Sequence, residues 1–227
     1  MIEEEFGNEK KLPYFKYRLA IVGEPFVGKS SLFKVVHGKE FPTKISSSLG
    51  IDGATIFRDV IYEEKENDFF VFEIAGNHKY LEKNEQYVKD IDAALILYNV
   101  TDRNSFDNVD FWIKFLRENI KGQDNCIIFL MGTKVDLLNE GKKREVEIKE
   151  AESKCKSSNL IWTEEISIKN STKEELKEKF KGLFKTIREK RINKKEEEKG
   201  TSNFNIEESS NEKSSEKKKK KCSNCCK

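Results

Sequence analysis

Residues 17–30 read YRLAIVGEPFVGKS, and this stretch decides the fold. Tyr17–Val22 is a short apolar run that predicts a buried strand, and the strand ends at Gly23. Gly23–Ser30 has the spacing G-x-x-x-x-G-K-S, and Ser30–His37 reads as a helix. A strand, a glycine-rich turn and a helix in this order predict a phosphate-binding loop, in which backbone N–H groups face a phosphate. A purely structural turn is the alternative interpretation.

Lys29 and Ser30 carry the charge and the hydroxyl that this loop offers to a nucleotide. We expect Lys29 to reach the β- and γ-phosphates and to stabilise charge during hydrolysis, and the Ser30 hydroxyl to bind Mg²⁺. Pro25 has no N–H group, so it removes one possible donor from the loop. The other residues here that we predict to contact the nucleotide are Gly23, Phe26, Val27, Gly28 and Ser31.

Apolar runs alternate with amphipathic stretches along the chain. Helices are indicated where apolar residues recur every three or four positions, at Phe106–Ile120 and at Leu176–Ile187. This alternation predicts an α/β fold with a mostly parallel sheet, helices on both faces and a ligand at the carboxyl ends of the strands. The later strands are predicted at Thr55–Tyr62, Phe69–Ile74, Ala93–Val100, Cys126–Met131 and Ile161–Ile168. The polar turn Glu63–Asp68 between the first two of these predicts a hairpin.

The composition predicts a globular core with a polar appendage. Of the 227 residues only 36% are hydrophobic, which is below the roughly 45–50% of an average globular chain. Between Asn193 and Lys227 the only large apolar residues are Phe204 and Ile206, so we expect this stretch to be disordered. The predicted organisation is an amino-terminal extension over residues 1–14, one domain over 15–192 and a tail over 193–227.

Several protein classes are excluded by the same arithmetic. The longest apolar run, Ala93–Val100, is far shorter than the roughly 20 residues of a membrane span. The chain begins with three glutamates at 3–5 rather than with a basic signal peptide, and its five cysteines form no disulfide framework, so we expect a reduced, cytosol-facing protein. Since 43 Lys and Arg residues nearly balance 41 Asp and Glu residues, we expect no nucleic-acid partner.

Thr133-Lys134-Val135-Asp136 follows a predicted strand directly. The carboxylate of Asp136 can accept hydrogen bonds from N1–H and the exocyclic amine of guanine, and adenine offers no such pair of donors. The wrong base would leave a buried carboxylate unpaired, which costs about 1–3 kcal/mol or more. We therefore predict a guanine site with Thr133, Lys134 and Asp136 at the base. By itself the motif is equally consistent with a helix cap.

These residues resemble the Ras superfamily of small GTPases and, within it, the Rabs, over about Phe15 to Arg191. Tyr98–Asp102, with Ser105, Phe106 and Trp112, is similar to a Rab run of strand, turn and helix. The resemblance implies the P-loop small G-protein fold, a mostly parallel six-stranded sheet with one antiparallel edge strand and helices on both faces. The matched motifs are, in order, Gly23–Ser30, Ser48–Gly50, Glu73–Asn77, Thr133–Asp136 and Ser167–Lys169.

The resemblance also assigns roles around the nucleotide. It places Ser48 and Glu73 with Ser30 at Mg²⁺, and it makes Asn77 the residue that orients the attacking water. Phe41 matches an aromatic residue that packs on the edge of guanine, although a loop residue that plugs the core is an equal alternative. The remaining nucleotide contacts implied in this way are Gly76, Ser167, Ile168 and Lys169.

Three of these positions depart from the usual family residues. Ser48 keeps the hydroxyl of the usual threonine, and Glu73 is one methylene longer than the usual aspartate. Asn77 is one methylene shorter than the usual glutamine. We expect nucleotide binding to survive these changes and unaided hydrolysis to be slow. A pseudo-GTPase that holds nucleotide without turnover is one alternative, and an ATP-dependent kinase or ATPase that shares only the phosphate loop is another.

The resemblance implies a GTP- and GDP-binding switch in vesicle traffic. Switch one (residues 38–53) and switch two (residues 76–87) would order around a γ-phosphate and bind effectors, exchange factors and GTPase-activating proteins. Effectors recognise Rabs by a triad of aromatic residues. At these three positions this chain has Gly53 in place of the usual aromatic residue, Phe72 in place of the usual tryptophan, and the usual tyrosine at Tyr87.

The end of the chain resembles a Rab membrane anchor. Cys225 and Cys226 form a double-cysteine ending of the kind that receives two geranylgeranyl groups, and the five lysines at 217–221 would attract anionic lipid. We expect a protein on the cytoplasmic face of an intracellular membrane that cycles with the cytosol. A zinc site and a simple solvated tail are the alternatives.

Overall fold

A computed structural model describes residues 15–36, 39–42, 54–62, 65–121 and 126–193 of the chain. These residues build one six-stranded sheet in the order β2-β3-β1-β4-β5-β6. Every neighbouring pair is parallel except β2 with β3, so β2 is an antiparallel edge strand. The strands are β1 (Phe15–Gly23), β2 (Ala54–Tyr62), β3 (Lys65–Glu73), β4 (Ala93–Asn99), β5 (Ile127–Thr133) and β6 (Ile161–Ile166).

Helices flank this sheet, which confirms the predicted fold. A short 3₁₀ turn, His78–Tyr80, precedes the second helix, and residues 173–193 are also helical. In chain order the α-helices are α1 (Lys29–Val36), α2 (Leu81–Val88), α3 (Arg103–Asp107), α4 (Val109–Asn119), α5 (Asp136–Asn139) and α6 (Ile148–Ser157).

The central strands are buried because both of their faces are covered. All seven residues of β4 are buried, as expected for an apolar strand in the middle of a parallel sheet. On one face, side chains of α2, α4 and α6 form a single cluster with those of β1 and β4, and this cluster includes Trp112. Helix α1 contacts β1 and β3.

Two predicted elements differ from the observed ones. The polar turn expected at Glu63–Asp68 is too long, because β3 begins at Lys65 and its polar residues pair with β1 and β2. The stripe from Phe106 to Ile120 is buried as predicted, but it spans two helices that are separated at Asn108.

The chain divides into two compact units, Met1–Gly182 and Leu183–Lys227. Residues 173–182 of the first unit and 183–193 of the second are helical. The predicted amino-terminal extension and the predicted tail from residue 194 onward lie outside the described residues. Within the described part of the chain, no helix is long and apolar enough to cross a membrane.

Candidate nucleotide-binding site

The predicted motifs gather at one edge of the sheet because they follow parallel strands. Strands β1, β3, β5 and β6 end at Gly23, Glu73, Thr133 and Ile166, respectively. In a parallel sheet these carboxyl ends lie side by side, and they form the usual place for a ligand. The phosphate loop, the acidic residue expected at Mg²⁺ and both base-recognition segments therefore start from the same edge.

Close packing fixes the backbone of the phosphate loop. Gly28 has φ +106°, and a Cβ atom there would lie 2.9 Å from Cδ1 of Ile168. Gly23 has φ +137°, and a Cβ atom there would lie 2.4 Å from the carbonyl oxygen of Leu97. Both positions therefore require glycine. Phe26 has φ +65° and an exposed side chain, so a bulky residue holds a strained conformation at the tip of this loop.

Lys29 is a buried cation at the centre of the loop. Its Nζ atom donates hydrogen bonds to the carbonyl oxygens of Gly23, at 2.9 Å, and Glu24, at 2.7 Å. Burial lowers the pKa of the Lys29 amine to about 8, and the nearby Glu73 and Glu24 carboxylates oppose that shift. A cation held this way at a helix amino terminus suits polyphosphate, because both the amine and the exposed N–H groups of the helix attract negative charge.

Ser30 and Glu73 offer two oxygen donors side by side. The Ser30 hydroxyl donates to Oε1 of Glu73 at 2.8 Å, and Glu73 is fully buried at the end of β3. Mg²⁺ prefers oxygen ligands, and it is commonly held by one or two protein groups together with phosphate oxygens and water. The pair therefore fits Mg²⁺, and the longer glutamate side chain reaches the serine hydroxyl without a gap.

Thr133 connects the end of β5 to the phosphate loop. Its hydroxyl group is fully buried and lies 2.7 Å from the carbonyl oxygen of Val27 and 2.8 Å from that of Tyr98. Because Val27 belongs to the phosphate loop, this contact brings the Thr133–Asp136 segment directly against it.

The carboxylate of Asp136 is held in place by a hydrogen bond within the fold. Asp136 is buried at the start of α5, and its Oδ1 atom accepts a hydrogen bond of 2.8 Å from the Ser167 hydroxyl. The same Ser167 oxygen accepts a hydrogen bond from the backbone N–H of Asn170, which closes the turn after β6. The two segments that were predicted to surround guanine therefore touch each other.

The flanking lysines frame this pocket. Lys134 has φ +64°, and burial lowers the pKa of its amine. Lys169 is exposed and pairs with Glu140 at 2.6 Å, and this hydrogen bond raises the pKa of its amine. The next-door Ile168 packs on Gly28, as described above, so the Ser167–Lys169 turn also borders the phosphate loop.

Gly76 lies directly against the phosphate loop, and Asn77 follows it. A Cβ atom on Gly76 would lie 2.5 Å from the carbonyl oxygen of Gly23 and 2.6 Å from the carbonyl carbon of Glu24, so only glycine fits. The Oδ1 atom of Asn77 accepts a hydrogen bond from the backbone N–H of Lys79 at 3.1 Å. The Asn77 side chain thereby caps the 3₁₀ turn His78–Tyr80.

Comparison with known proteins agrees with this geometry. The model of the Ras family matches residues 18–189. The chain belongs to the Ras family. It is also 32% identical over 161 residues to the GTP-binding protein ypt3 of Schizosaccharomyces pombe, an alignment that covers 71% of this chain and 72% of the yeast protein. Within the family this protein is a Rab-type small GTPase. Members of the family bind GTP and GDP with Mg²⁺ and hydrolyse GTP.

The remaining predicted contacts of this Rab-type GTPase are only partly described. Ser31 is buried in α1, and Phe41 is half-buried in the segment after it. Ser48, like Gly53, lies outside the described residues. In the predicted aromatic triad, Tyr87 is exposed, whereas Phe72 is 2% exposed and lies under the guanidinium group of Arg18 at 5.6 Å. In this structure Phe72 therefore serves the core rather than the surface.

Sequence reasoning missed a group of side chains beside the phosphate loop of this GTPase. Glu24 occupies one of the unspecified positions of the loop motif, yet its Oε1 atom contacts both Trp112 and His78. His78 was predicted only as part of switch two, and Trp112 only as part of the apolar stripe and of the run that is similar to Rabs. No local pattern signals these contacts, because the three residues come from distant parts of the chain.

Proposed function

We propose that this protein is a Rab-type GTP/GDP switch with slow unaided hydrolysis, anchored to a membrane by prenylated cysteines and acting in vesicle traffic. The observation that carries the proposal is the contact between the two halves of the site. The Thr133 hydroxyl joins the base-recognition segment to Val27, while Asp136 is already oriented by Ser167. A guanine base and a polyphosphate can therefore be held by one continuous surface.

Each part of the nucleotide has a plausible set of partners in this surface. Asp136 would accept hydrogen bonds from guanine, and the Lys29 amine, which lies at the carbonyl oxygens of Gly23 and Glu24, would donate to the β- and γ-phosphates. Ser30 and Glu73 would hold Mg²⁺, together with Ser48 of switch one. When bound, Mg²⁺ supplies positive charge to the phosphate oxygens.

The proposal of slow hydrolysis rests on Asn77. The family reaction is an in-line attack of water on the γ-phosphate, and a side-chain amide must orient that water. The Asn77 amide is one methylene shorter than glutamine, and its oxygen already accepts a hydrogen bond from Lys79. Its capacity to accept a hydrogen bond from the attacking water is therefore reduced on two counts, in reach and in free acceptor sites.

The nucleotide content of the purified protein tests the proposal first. We expect denaturation to release one GDP or GTP per protein molecule, which chromatography identifies. Excess ATP should not displace this nucleotide from the folded protein. A matched Lys29→Ala variant should lose the bound nucleotide. Adenine nucleotide in place of guanine would contradict the proposal.

The alternative of a pseudo-GTPase is favoured by the same two departures, Glu73 and Asn77. Measurement of phosphate release over many turnovers separates the two functions. A switch releases phosphate slowly but continuously when an exchange factor promotes nucleotide exchange in the presence of Mg²⁺, whereas a pseudo-GTPase releases none above the level of Lys29→Ala.

The membrane part of the proposal rests on residues outside the described structure. Cys225 and Cys226 follow the lysine run 217–221, and two prenyl chains, or one chain with a basic patch, give stable membrane binding. Mass spectrometry of the native protein should show the mass of two geranylgeranyl groups on these cysteines. Unmodified thiols at both positions would contradict this part without affecting nucleotide binding. We propose that effectors, exchange factors and activating proteins bind the two switches.

A further inference from the structure

Glu24 extends its side chain from the phosphate loop toward helix α4. Its Oε1 atom accepts a hydrogen bond of 2.9 Å from the indole N–H of Trp112 and lies 2.8 Å from Nε2 of His78. The imidazole donates this second bond in the tautomer that carries the proton on Nε2. The Glu24 side chain is only 13% exposed, so water replaces these bonds poorly. A single oxygen therefore ties two separate elements to the phosphate loop.

The ring of His78 is also held by aromatic packing. It stacks on Phe111 with 4.1 Å between the ring centroids and an interplanar angle of 9°. The Trp112 ring meets it edge-on at 5.7 Å. We call these four residues, Glu24, His78, Phe111 and Trp112, the Glu24 cluster. Because His78 directly follows Asn77, the cluster fixes one end of the backbone that carries the Asn77 side chain.

The backbone of Glu24 contacts the other parts of the reaction site. Its carbonyl oxygen accepts a hydrogen bond of 2.7 Å from Nζ of Lys29. Its carbonyl carbon would lie 2.6 Å from a Cβ atom on Gly76, which shows how closely switch two approaches it. Glu24 thus touches the phosphate-binding lysine through its main chain and the start of switch two through both its main chain and its side chain.

We propose that Glu24 is a positioning residue for GTP hydrolysis, which acts by holding His78 and thereby the preceding Asn77 in register with the phosphate loop. The role in hydrolysis rests on the proposed function, whereas the structural coupling does not. Since Oε1 serves both donors, removal of the carboxylate releases His78 and Trp112 together. A side-chain amide at the same position can still accept both bonds, so glutamine should replace glutamate here and alanine should not.

The indole signals of the protein test the coupling without any turnover. The chain has only two tryptophans, Trp112 and Trp162, so the two indole N–H resonances can be assigned in a Trp162→Phe variant. We expect Glu24→Ala in the GDP-bound protein to shift the Trp112 resonance upfield, because the hydrogen bond to the carboxylate is lost, and to leave Trp162 unchanged. Glu24→Gln should move the Trp112 resonance much less. An unchanged Trp112 resonance in Glu24→Ala would overturn the proposal.

Single-turnover hydrolysis tests the positioning role. We expect Glu24→Ala and His78→Ala each to slow hydrolysis roughly tenfold, as a small misplacement of a reacting group does, and the double variant to be no slower than either. GDP affinity should change less than the hydrolysis rate. Glu24→Gln should restore most of the rate, which loss of folding alone would not explain. The control is Glu118→Ala, which removes an exposed carboxylate from the same helix as Trp112.

The results distinguish the positioning role from the proposed function. Multiplied losses in the double variant, or no loss in Glu24→Ala, would overturn the positioning role even if the protein is an active GTPase. If the unaltered protein does not hydrolyse GTP, the proposed turnover fails. The release rate of fluorescent GDP then takes the place of the hydrolysis rate in the same set of variants, and equal rates in Glu24→Ala and the unaltered protein would overturn the coupling.

Discussion

The base side and the γ-phosphate side of the site are built in opposite ways. On the base side, Asp136, Ser167 and Thr133 are buried, and each has its hydrogen-bond partners within the fold. On the γ-phosphate side, Asn77 is half-buried and its side chain caps the short turn that begins switch two. The first side keeps the family residues, and the second departs from them at Glu73 and Asn77.

This difference predicts that nucleotide binding and GTP turnover can be altered separately in this protein. In the proposed roles, a buried carboxylate that the fold orients would recognise guanine with little reorganisation. An amide that must leave a cap to orient water would support hydrolysis only after reorganisation. Changes on the base side should therefore affect affinity, and changes on the γ-phosphate side should affect the rate.

Asp136→Ala should have the largest effect. It removes the acceptor of two hydrogen bonds from guanine, and bonds to a charged group contribute about 1.5–3 kcal/mol each, so GDP should bind at least roughly a hundredfold more weakly. Displacement of fluorescent GDP measures this change. Asp107→Ala, which removes an exposed carboxylate of α3, serves as the control. Equal GDP affinity of the Asp136→Ala and unaltered proteins would contradict the proposal that the base side determines nucleotide affinity.

Thr133→Val tests the connection between the two halves of the site. The substitution leaves the carbonyl oxygens of Val27 and Tyr98 without this buried donor, so the free energy of unfolding should fall by about 2 kcal/mol. Urea denaturation of the GDP-bound protein measures the change. The matched control is Thr163→Val, since the Thr163 hydroxyl makes one partly buried bond of 3.1 Å to Leu130 and should matter less. If the two substitutions cost the same, the connection through Thr133 contributes nothing special.

Asn77→Gln should sharpen the comparison on the γ-phosphate side. The longer amide restores the reach that water orientation needs, so single-turnover hydrolysis should quicken about tenfold while GDP affinity stays the same. Asn77→Ala removes the amide altogether and provides the baseline. A rate that does not rise in Asn77→Gln would show that reach is not the limiting factor.

The smallest expected effect is on the reactivity of two thiols, one half-buried and one buried. Burial raises the pKa of Cys126 to about 12 and that of Cys155 to about 11. The thiolate is the reactive form, so at pH 8 both groups should react with iodoacetamide far more slowly than a free cysteine, and the rates should rise as the pH increases toward these values. Peptide mass spectrometry measures the extent. Rapid labelling of Cys126 at pH 8 would show that the chain opens readily just before β5. Thr133 is the last residue of that strand.

The sequence predicts the sheet well because its central strands are continuous apolar runs. The prediction Ala93–Val100 for β4 differs from the observed strand by one residue, since every residue there is buried. Helix α6 was not predicted as a distinct element, because only Ala151 and Cys155 of its ten residues are buried and its charged residues hide the period. The break at Asn108 was missed for a related reason, as both helices continue the same apolar stripe.

The site was predictable where chemistry follows from local spacing. Gly23, Lys29 and Asp136 each belong to a motif whose residue types have a direct physical purpose, and the structure brings their segments together. Glu24 was not predictable in this way, since its partner Trp112 lies 88 residues further along the chain and His78 lies 54 residues further. Contacts of that separation depend on how the whole sheet is assembled.

The fit of Gly76 against Gly23 and Glu24 has a mechanical consequence. The space between the phosphate loop and the Gly76 backbone is too small for even a methyl group. Neither segment can therefore move toward the other without displacing it. A displacement of the phosphate loop toward Gly76 is transmitted to the start of switch two by steric contact, whatever the charge of the group that caused it. Switch two would then respond to a movement of the phosphate loop through backbone contact as well as through the hydrogen bonds of Glu24.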